Sequence, residues 1–339
     1  MSKEKTIVLS IAATLAVILL FFFTVFFQFF VPVNLSHTKI FQIKDGQSVQ
    51  SIAMSLKKQG IIRSTFFFRA YVKLKNSDTF IRSGYFYMPQ RMNLPKVLDI
   101  LTTSSGVYHI EKITIPEGFS VMQIAARLEA NGICSANVFH DYVKHHAKAD
   151  FNEQYPFLNF KAAFSTIEGY LFPETYFFRQ NESVKTIVSA MLGQFSNQIY
   201  RYYETANYAG HLSFHELVTM ASLIEKESRV RSEMPLISSV FHNRLARTIR
   251  LRTDPTVVYA LGLSYKKRVY YKDLEVDSPY NTYKNVGLPP TAIASPGLEA
   301  FKAACFPAKS SYLFFVARPD GKHDFTKTYQ EHLKVQRKR

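Results

Sequence analysis

From Ile7 to Phe30 the chain runs for 24 residues without a charge. As a helix rising about 1.5 Å per residue, such a run measures roughly 36 Å, enough to cross a hydrocarbon core of about 30 Å. Its only polar side chains are Ser10, Thr14, Thr24 and Gln28, and seven of the 30 Phe fall between Phe21 and Phe30. A cleaved signal peptide has an apolar stretch of about 7–15 residues followed by a small-residue cleavage site. Here the run ends in Phe29-Phe30-Val31-Pro32 with no A-x-A pattern, so an uncleaved anchor over residues 7–33 is expected. Lys3 and Lys5 favour a cytoplasmic tail over residues 1–6, although Lys39 and Lys44 follow on the other side. No second run approaches this length, so one crossing is expected.

Charge narrows the partners. Lys and Arg total 42 against 26 Asp and Glu, a formal net charge of +16. Such a charge suits anionic lipid, acidic wall polymers or nucleic acid. Outside the cytoplasm nucleic acid fits least, and none is expected. With 47% hydrophobic residues the chain is not a disordered tail, and two Cys cannot form a disulfide framework. Cys134 and Cys305 lie in apolar settings and read as buried free thiols.

The first half repeats itself. Residues 41–62, FQIKDGQSVQSIAMSLKKQGII, align without gaps on residues 113–134, ITIPEGFSVMQIAARLEANGIC, with nine of 22 positions identical. The match continues at FRAYVK (68–73) against FHDYVK (139–144) and at SGYFYMP (83–89) against EGYLFPE (168–174). Each copy reads strand, helix, helix, strand. Ile40–Ile43 alternates as a strand does, Gly46 is the turn, and Val49, Ile52, Ala53 and Leu56 share one helix face. Gly60 sits where a helix terminus favours a left-handed residue. Phe67, Tyr71 and Val72 mark the second helix, and Gly84–Met88 the returning strand. This order resembles the LysM glycan-binding module, and a plain packing module is the alternative. In the second copy Glu168 replaces Ser83 and opens an aromatic stretch, Gly169–Tyr176, expected to be a strand. Tyr85–Tyr87 and Tyr170–Phe172 are candidates for facing sugar. The resulting fold class is α+β.

The familiar enzyme signatures are absent: there is no G-x-G-x-x-G, P-loop, G-x-S-x-G or H-E-x-x-H. His140, His145 and His146 read as a solvated loop, and nothing has zinc spacing. No metal and no cofactor are expected. Ser213-Phe-His-Glu216 is a capping box opening a helix whose buried stripe is Leu217, Met220, Ala221 and Ile224. Glu225 and Glu227 fall on opposite flanks of that stripe. A carboxylate bordering an apolar face is desolvated and its pKa rises toward the range a general acid needs. Periodicity does not choose between the two. A second helix, Val240–Leu245, and a donor-rich loop, Arg250–Thr256, follow.

Several ordered segments then converge. MASLIEKES (220–228), SVFHNRL (239–245), RLRTDPTVVYAL (250–261), SPYNTYKNVGLPP (278–290) and AIASPGLEAFKAACFPA (292–308) resemble the endolytic murein transglycosylase family, MltG or YceG-like. So do IEGYLFPETY (167–176), TIPEG (114–118) and YLFFVARPDGKHDF (312–325), together with the single N-terminal anchor. The resemblance divides the chain into a LysM-like module over 40–106 and a catalytic domain over 107–339, whose first part, about 113–176, is the diverged repeat.

The resemblance implies a bacterial enzyme of the cytoplasmic (inner) membrane, with its N-terminus inside and its catalytic domain outside, that cuts peptidoglycan strands internally. The first Glu of the E-K-E-[ST] motif, Glu225 here, is the implied acid/base. Protonated, it would donate to the glycosidic oxygen between N-acetylmuramic acid and N-acetylglucosamine; deprotonated, it would take the C6 hydroxyl proton as a 1,6-anhydro ring closes. Glu168, Asn243, Arg252, Asp254, Tyr280 and Asn281 are candidates for orienting substrate, or for holding loops. Thr248, Arg252 and Thr291 depart from the family's usual Gly, Gln and Gly, and Glu174 from its Asp. Glycan strands and membrane lipid are the implied partners, with glycan synthases as neighbours. A wall-binding scaffold and a hydrolytic muramidase are the competing readings.

Overall fold

The uncharged run forms one helix, α1 (Lys3–Phe30), and its segment Ala12–Phe30 has a mean hydropathy of 2.4 with none of it buried inside the protein. By length and composition it is a candidate membrane span. The computed structural model describes residues 3–36, 38–103, 110–160, 166–264, 266 and 268–338, and the class is α+β. The chain divides into two compact units, Met1–Glu111 and Lys112–Arg339. The division expected between residues 106 and 107 lies outside the described residues.

In the first unit, β1 (Val33–Asn34) precedes β2 (Lys39–Ile43), α2 (Val49–Lys58), α3 (Thr65–Leu74), β3 (Gly84–Met88), β4 (Arg91–Met92) and α4 (Leu94–Thr102). β1 pairs with β4, and β2 runs antiparallel to β3 in the register Lys39↔Met88 to Ile43↔Gly84. Strand alternation turns Phe41, Ile43, Phe86 and Met88 inward, onto Ile52 and Leu56 of α2, Phe68 and Val72 of α3, and Val97 and Leu101 of α4. Ser48 caps α2 by accepting from the Ser51 N–H. The helix ends at Gly60, φ +72°, where Gly60 and Ile61 donate to Lys57 and Leu56. That left-handed residue closes the helix without a Cβ clash.

The second unit continues with β5 (Ile110–Thr114), α5 (Val121–Ala130), α6 (Ala136–His145), α7 (Ala147–Phe151), β6 (Thr175–Arg179), α8 (Val184–Phe195), α9 (Arg201–Thr205) and α10 (Phe214–Glu227). Then follow α11 (Met234–Ala246), α12 (Asp254–Ala260), α13 (Leu298–Cys305), the antiparallel pair β7 (Phe314–Ala317) and β8 (His323–Thr326), and α14 (Tyr329–Arg337). Ser120 caps α5 as Ser48 caps α2, and Gly132, φ +68°, closes it with the same two bonds. The repeat is therefore structural.

Its last segment is not where the alignment places it. β5 pairs with β6, residues 175–179, whereas residues 168–174 form a buried turn. Tyr170 and Leu171 have no exposed surface, and Tyr170 stacks between Phe157 and Phe160 at 5.9 and 5.3 Å. These rings belong to the core and cannot face sugar. Gly169, φ +89°, drives the turn, because a Cβ there would lie 2.4 Å from the Ala292 Cβ.

α10 is the central helix of this unit. The Ser213–Glu216 capping box opens it, and Leu217, Val218, Met220, Ala221, Leu223 and Ile224 are all inaccessible. The apolar surface is thus wider than one stripe, and Thr219 and Ser222 are tolerated inside by donating to His215 and Thr219 carbonyls. Cys134 is half-buried and Cys305 buried; both are free thiols, which burial pushes up to about 11 and about 12.

Candidate active site

The end of α10 is crossed by two turns. Ser295 makes two backbone bonds to residues 118 and 119, its carbonyl accepting from the Gly118 N–H and its N–H donating to the Phe119 carbonyl, both at 2.8 Å. The Ile293 N–H donates to Ser222 at 3.1 Å and the Gly297 N–H to Glu225 Oε2 at 3.0 Å. Lys226 Nζ donates to the Gly118 carbonyl at 3.1 Å. These bonds dock residues 117–119 and 292–297 over the last turn of the helix.

Glu225 and Glu227, one on either side of Lys226 in the chain, meet different surroundings. Glu225 holds the first residue before α13, and Glu117, itself paired with Arg231 at 2.8 Å, lies close by. Burial raises the Glu225 carboxyl; the Gly297 N–H opposes this and the Glu117 charge adds to it. Glu227 faces the Arg250–Thr256 segment instead. Burial pushes its carboxyl up to about 7, with Thr253 opposing and the Asp254 charge adding.

That segment is not a loop throughout, since Asp254 and Pro255 open α12. A buried threonine knot fixes it: the Thr253 N–H donates to Thr282 Oγ1 at 3.0 Å, and the Thr256 and Thr282 hydroxyls bond at 2.8 Å. Asp254 accepts from the Tyr283 hydroxyl at 2.6 Å. Arg252, φ +50°, is exposed, its N–H donating to the Thr282 carbonyl.

A cavity of about 570 Å³ opens beside this turn, walled by Ser120, Gln123, Lys226, Asp254, Tyr259 and Ile293 among others. A second, of about 440 Å³, shares Ser120, Tyr259 and Leu263 with it and adds Glu168, Tyr280 and His140. Glu168 is 3% exposed. It accepts from the Val121 N–H at 3.0 and 3.2 Å and from the Tyr259 hydroxyl at 3.2 Å, fastening the start of α5 to α12. Burial pushes it up to about 7, these bonds partly opposing. The Tyr280 ring lies tilted against that of Tyr259, 4.9 Å between centroids, and its hydroxyl bonds Thr291 at 2.7 Å.

The expected site residues thus separate. Asp254, Tyr280 and Glu168 border the paired cavities, and Lys226, not singled out from sequence, joins them; its ammonium lies within the influence of both Glu225 and Glu168. Glu225 and Glu227 wall neither cavity. Asn281 has no exposed surface, and its amide donates to the Leu274 and Val276 carbonyls at 2.9 and 2.8 Å. Asn243 donates to the Ser310 and Tyr312 carbonyls at 3.0 and 2.9 Å. Both asparagines hold loops. Their polarity is legible in the sequence, but the carbonyls they serve are not.

The unit is therefore an α+β domain with ionisable groups gathered where a buried helix ends beside an open cleft. The YceG-like family profile matches residues 41–338, and the chain belongs to this family. It is 40% identical over 303 residues to the endolytic murein transglycosylase of Bacillus subtilis strain 168, covering 87% of this chain and 83% of that one. A protein of the same name from Streptococcus pneumoniae serotype 2 is 31% identical over 312 residues, covering 86% of this chain and 56% of its relative. The crystal structure of a yceG-like protein from Listeria monocytogenes superposes with a TM-score of 0.59 at 37% identity, over 88% of this chain and 99% of that one.

Proposed function

We propose that this chain is a lytic transglycosylase that cuts the bond between N-acetylmuramic acid and N-acetylglucosamine inside peptidoglycan strands, leaving 1,6-anhydro ends. Its family membership and the name its relatives carry support the reaction class. α1 anchors it as a single crossing of the cytoplasmic membrane, and the β2–α2–α3–β3 unit serves as a LysM-like contact to glycan. Synthases supply the strands.

Glu225 is the acid/base in this reading. A general acid must hold its proton near neutrality and yet reach the substrate. The observation that carries the choice is the company Glu225 keeps. Burial and the Glu117 charge raise its carboxyl, while the Glu117–Arg231 pair beside it is open to solvent, its side chains 34% and 68% exposed. Glu227 is raised as well, but its neighbours are Thr253, itself 2% exposed within the threonine knot, and the Asp254 charge. The motif resemblance supports the same residue. Glu225 protonates the glycosidic oxygen while C1 develops positive charge, the substrate's N-acetyl group assisting. The carboxylate then takes the C6 hydroxyl proton as that oxygen bonds to C1, so no water is consumed. The Gly297 N–H keeps the carboxylate in place between the two steps. Lys226, Arg252, Asp254 and Tyr280 orient the sugars, and Glu168, Asn243 and Asn281 fix the segments that carry them.

The test is digestion of purified glycan strands by Glu225→Gln and Glu227→Gln. Loss of an acid/base typically costs 10²–10⁴ in rate. Glu225→Gln is expected to lose cleavage by about that factor, and Glu227→Gln by far less. The reverse pattern gives the role to Glu227, and parental activity in both variants sinks the site.

A further inference from the structure

α3 has four faces. Phe68 and Val72 are buried in the core of the first unit. Phe67 and Tyr71 meet the Phe29 ring of α1 edge-on, at 6.1 and 5.1 Å. Arg69 and Lys73 are exposed cations. Between those cations and the α1 contact runs a stripe at i, i+4 and i+8: Phe66, Ala70 and Leu74, with Phe66 71% and Leu74 75% exposed.

The place of that stripe is fixed by α1. Arg63, just before α3, donates to the Val31 and Pro32 carbonyls at 2.6 and 2.7 Å, and its guanidinium lies 4.8 Å over the Phe27 ring. Two successive turns of α3 touch the same residue, Phe29, at the very end of the apolar segment. The Phe66 ring is 5.4 Å from that of Phe67. A helix with an apolar stripe beside a basic flank, located where a span leaves the bilayer, has the anatomy of an interfacial helix.

We propose that Phe66, Ala70 and Leu74 dock into the headgroup–acyl boundary of the bilayer that α1 crosses, with Arg69 and Lys73 reaching anionic headgroups. The proposal rests on reading α1 as a span. Lipid is the occupant because α3 packs on Phe29 at the end of the apolar segment, where Phe26 and Phe30 are exposed, and because residues 31–103 carry eleven Lys and Arg against three Asp and no Glu. α3 then acts as a second foothold, fixing the first unit against the membrane instead of leaving it on a swivel.

The chain has no Trp, so one introduced indole is a clean reporter. Phe66→Trp and, separately, Phe22→Trp are placed in the full chain and reconstituted in vesicles of phosphatidylglycerol and phosphatidylcholine brominated at shallow or deep acyl positions. Docking predicts blue-shifted emission from the Phe66→Trp chain, quenched more by shallow than by deep bromine and protected from aqueous acrylamide. The Phe22→Trp chain should be quenched most by deep bromine. An indole at position 66 that is open to acrylamide and untouched by bromine overturns the docking, while the reporter at position 22 still records insertion. Shielding of position 66 from acrylamide without any bromine quenching also overturns it, since protein then covers the stripe. If the reporter at position 22 escapes bromine as well, the span reading itself has failed.

Discussion

Glu168→Gln should stabilise the second unit at alkaline pH and leave it nearly unchanged in acid. Glu168 is almost wholly buried, and its carboxyl rises from an ordinary 4.5 to about 7. A raised folded-state value means the folded chain holds a proton that the unfolded chain has released. The associated stability is complete below about pH 4.5 and is lost as pH climbs through about 7. At 1.36 kcal/mol per pKa unit the swing is about 3 kcal/mol. About 2.5 kcal/mol of that falls between pH 5 and pH 8, and for a unit of this size each kcal/mol moves the midpoint by roughly 2–4 °C, so the variant's advantage should grow by about 5–10 °C over that range. Thermal melts of wild type and variant by circular dichroism, at both pH values, give that difference directly. Glutamine keeps one acceptor for the Val121 N–H, so a small loss at pH 5 is compatible. A variant whose offset from wild type is the same at both pH values would refute the burial argument.

Other consequences are equally concrete. Thr248 closes α11 at φ +58°, its N–H donating to Leu245 and that of Ile249 to Arg244, the geometry that glycine fills best. Left-handed strain of about 1–2 kcal/mol less the extra freedom glycine has when unfolded, about 0.5–1 kcal/mol, leaves Thr248→Gly more stable by about 0.5–1 kcal/mol; an unchanged or lower midpoint in denaturant contradicts this. Gly169→Ala should cost about 2–5 kcal/mol from overpacking and a left-handed Cβ, given the 2.4 Å approach to Ala292, and a wild-type melting temperature would exclude the buried turn. If Glu225 is the acid, kcat/KM must fall on the alkaline side as its raised carboxyl loses the proton, and Glu117→Gln should move that limb to lower pH by removing a charge that raises it. Glu227→Gln should leave the limb in place, and its disappearance in Glu227→Gln would reassign the titrating group.

Much of this architecture is written in short-range signals. Gly60, with Gly132 at the matching place in the repeat, and the Ser213–Glu216 box act within a few residues and appear where expected, and the repeated Ser48 and Ser120 each cap a helix. The returning strand of the second repeat lies later than its alignment implies because aromatic residues that favour a strand are claimed by tertiary stacking: Tyr170 fits between Phe157 and Phe160, and β6 follows the turn. The site shows the same division. The E-K-E segment is visible as the end of a capped, apolar helix. What each glutamate meets depends on two remote turns, one carrying Gly297 and one carrying Thr253, and periodicity along α10 cannot supply them. Asn243 and Asn281 look like sugar ligands in the sequence for a related reason: carbonyl acceptors 69 and 7 residues away leave no local trace.

The proposed reaction leaves a chemical signature that binding or hydrolysis cannot imitate. Purified, uncrosslinked glycan strands incubated with the full chain in detergent should yield internal fragments whose new muramyl ends are 1,6-anhydro, one water lighter than reducing ends by mass spectrometry. Reducing ends would make the protein a muramidase, and intact strands that remain bound would make it a scaffold; either result contradicts the account.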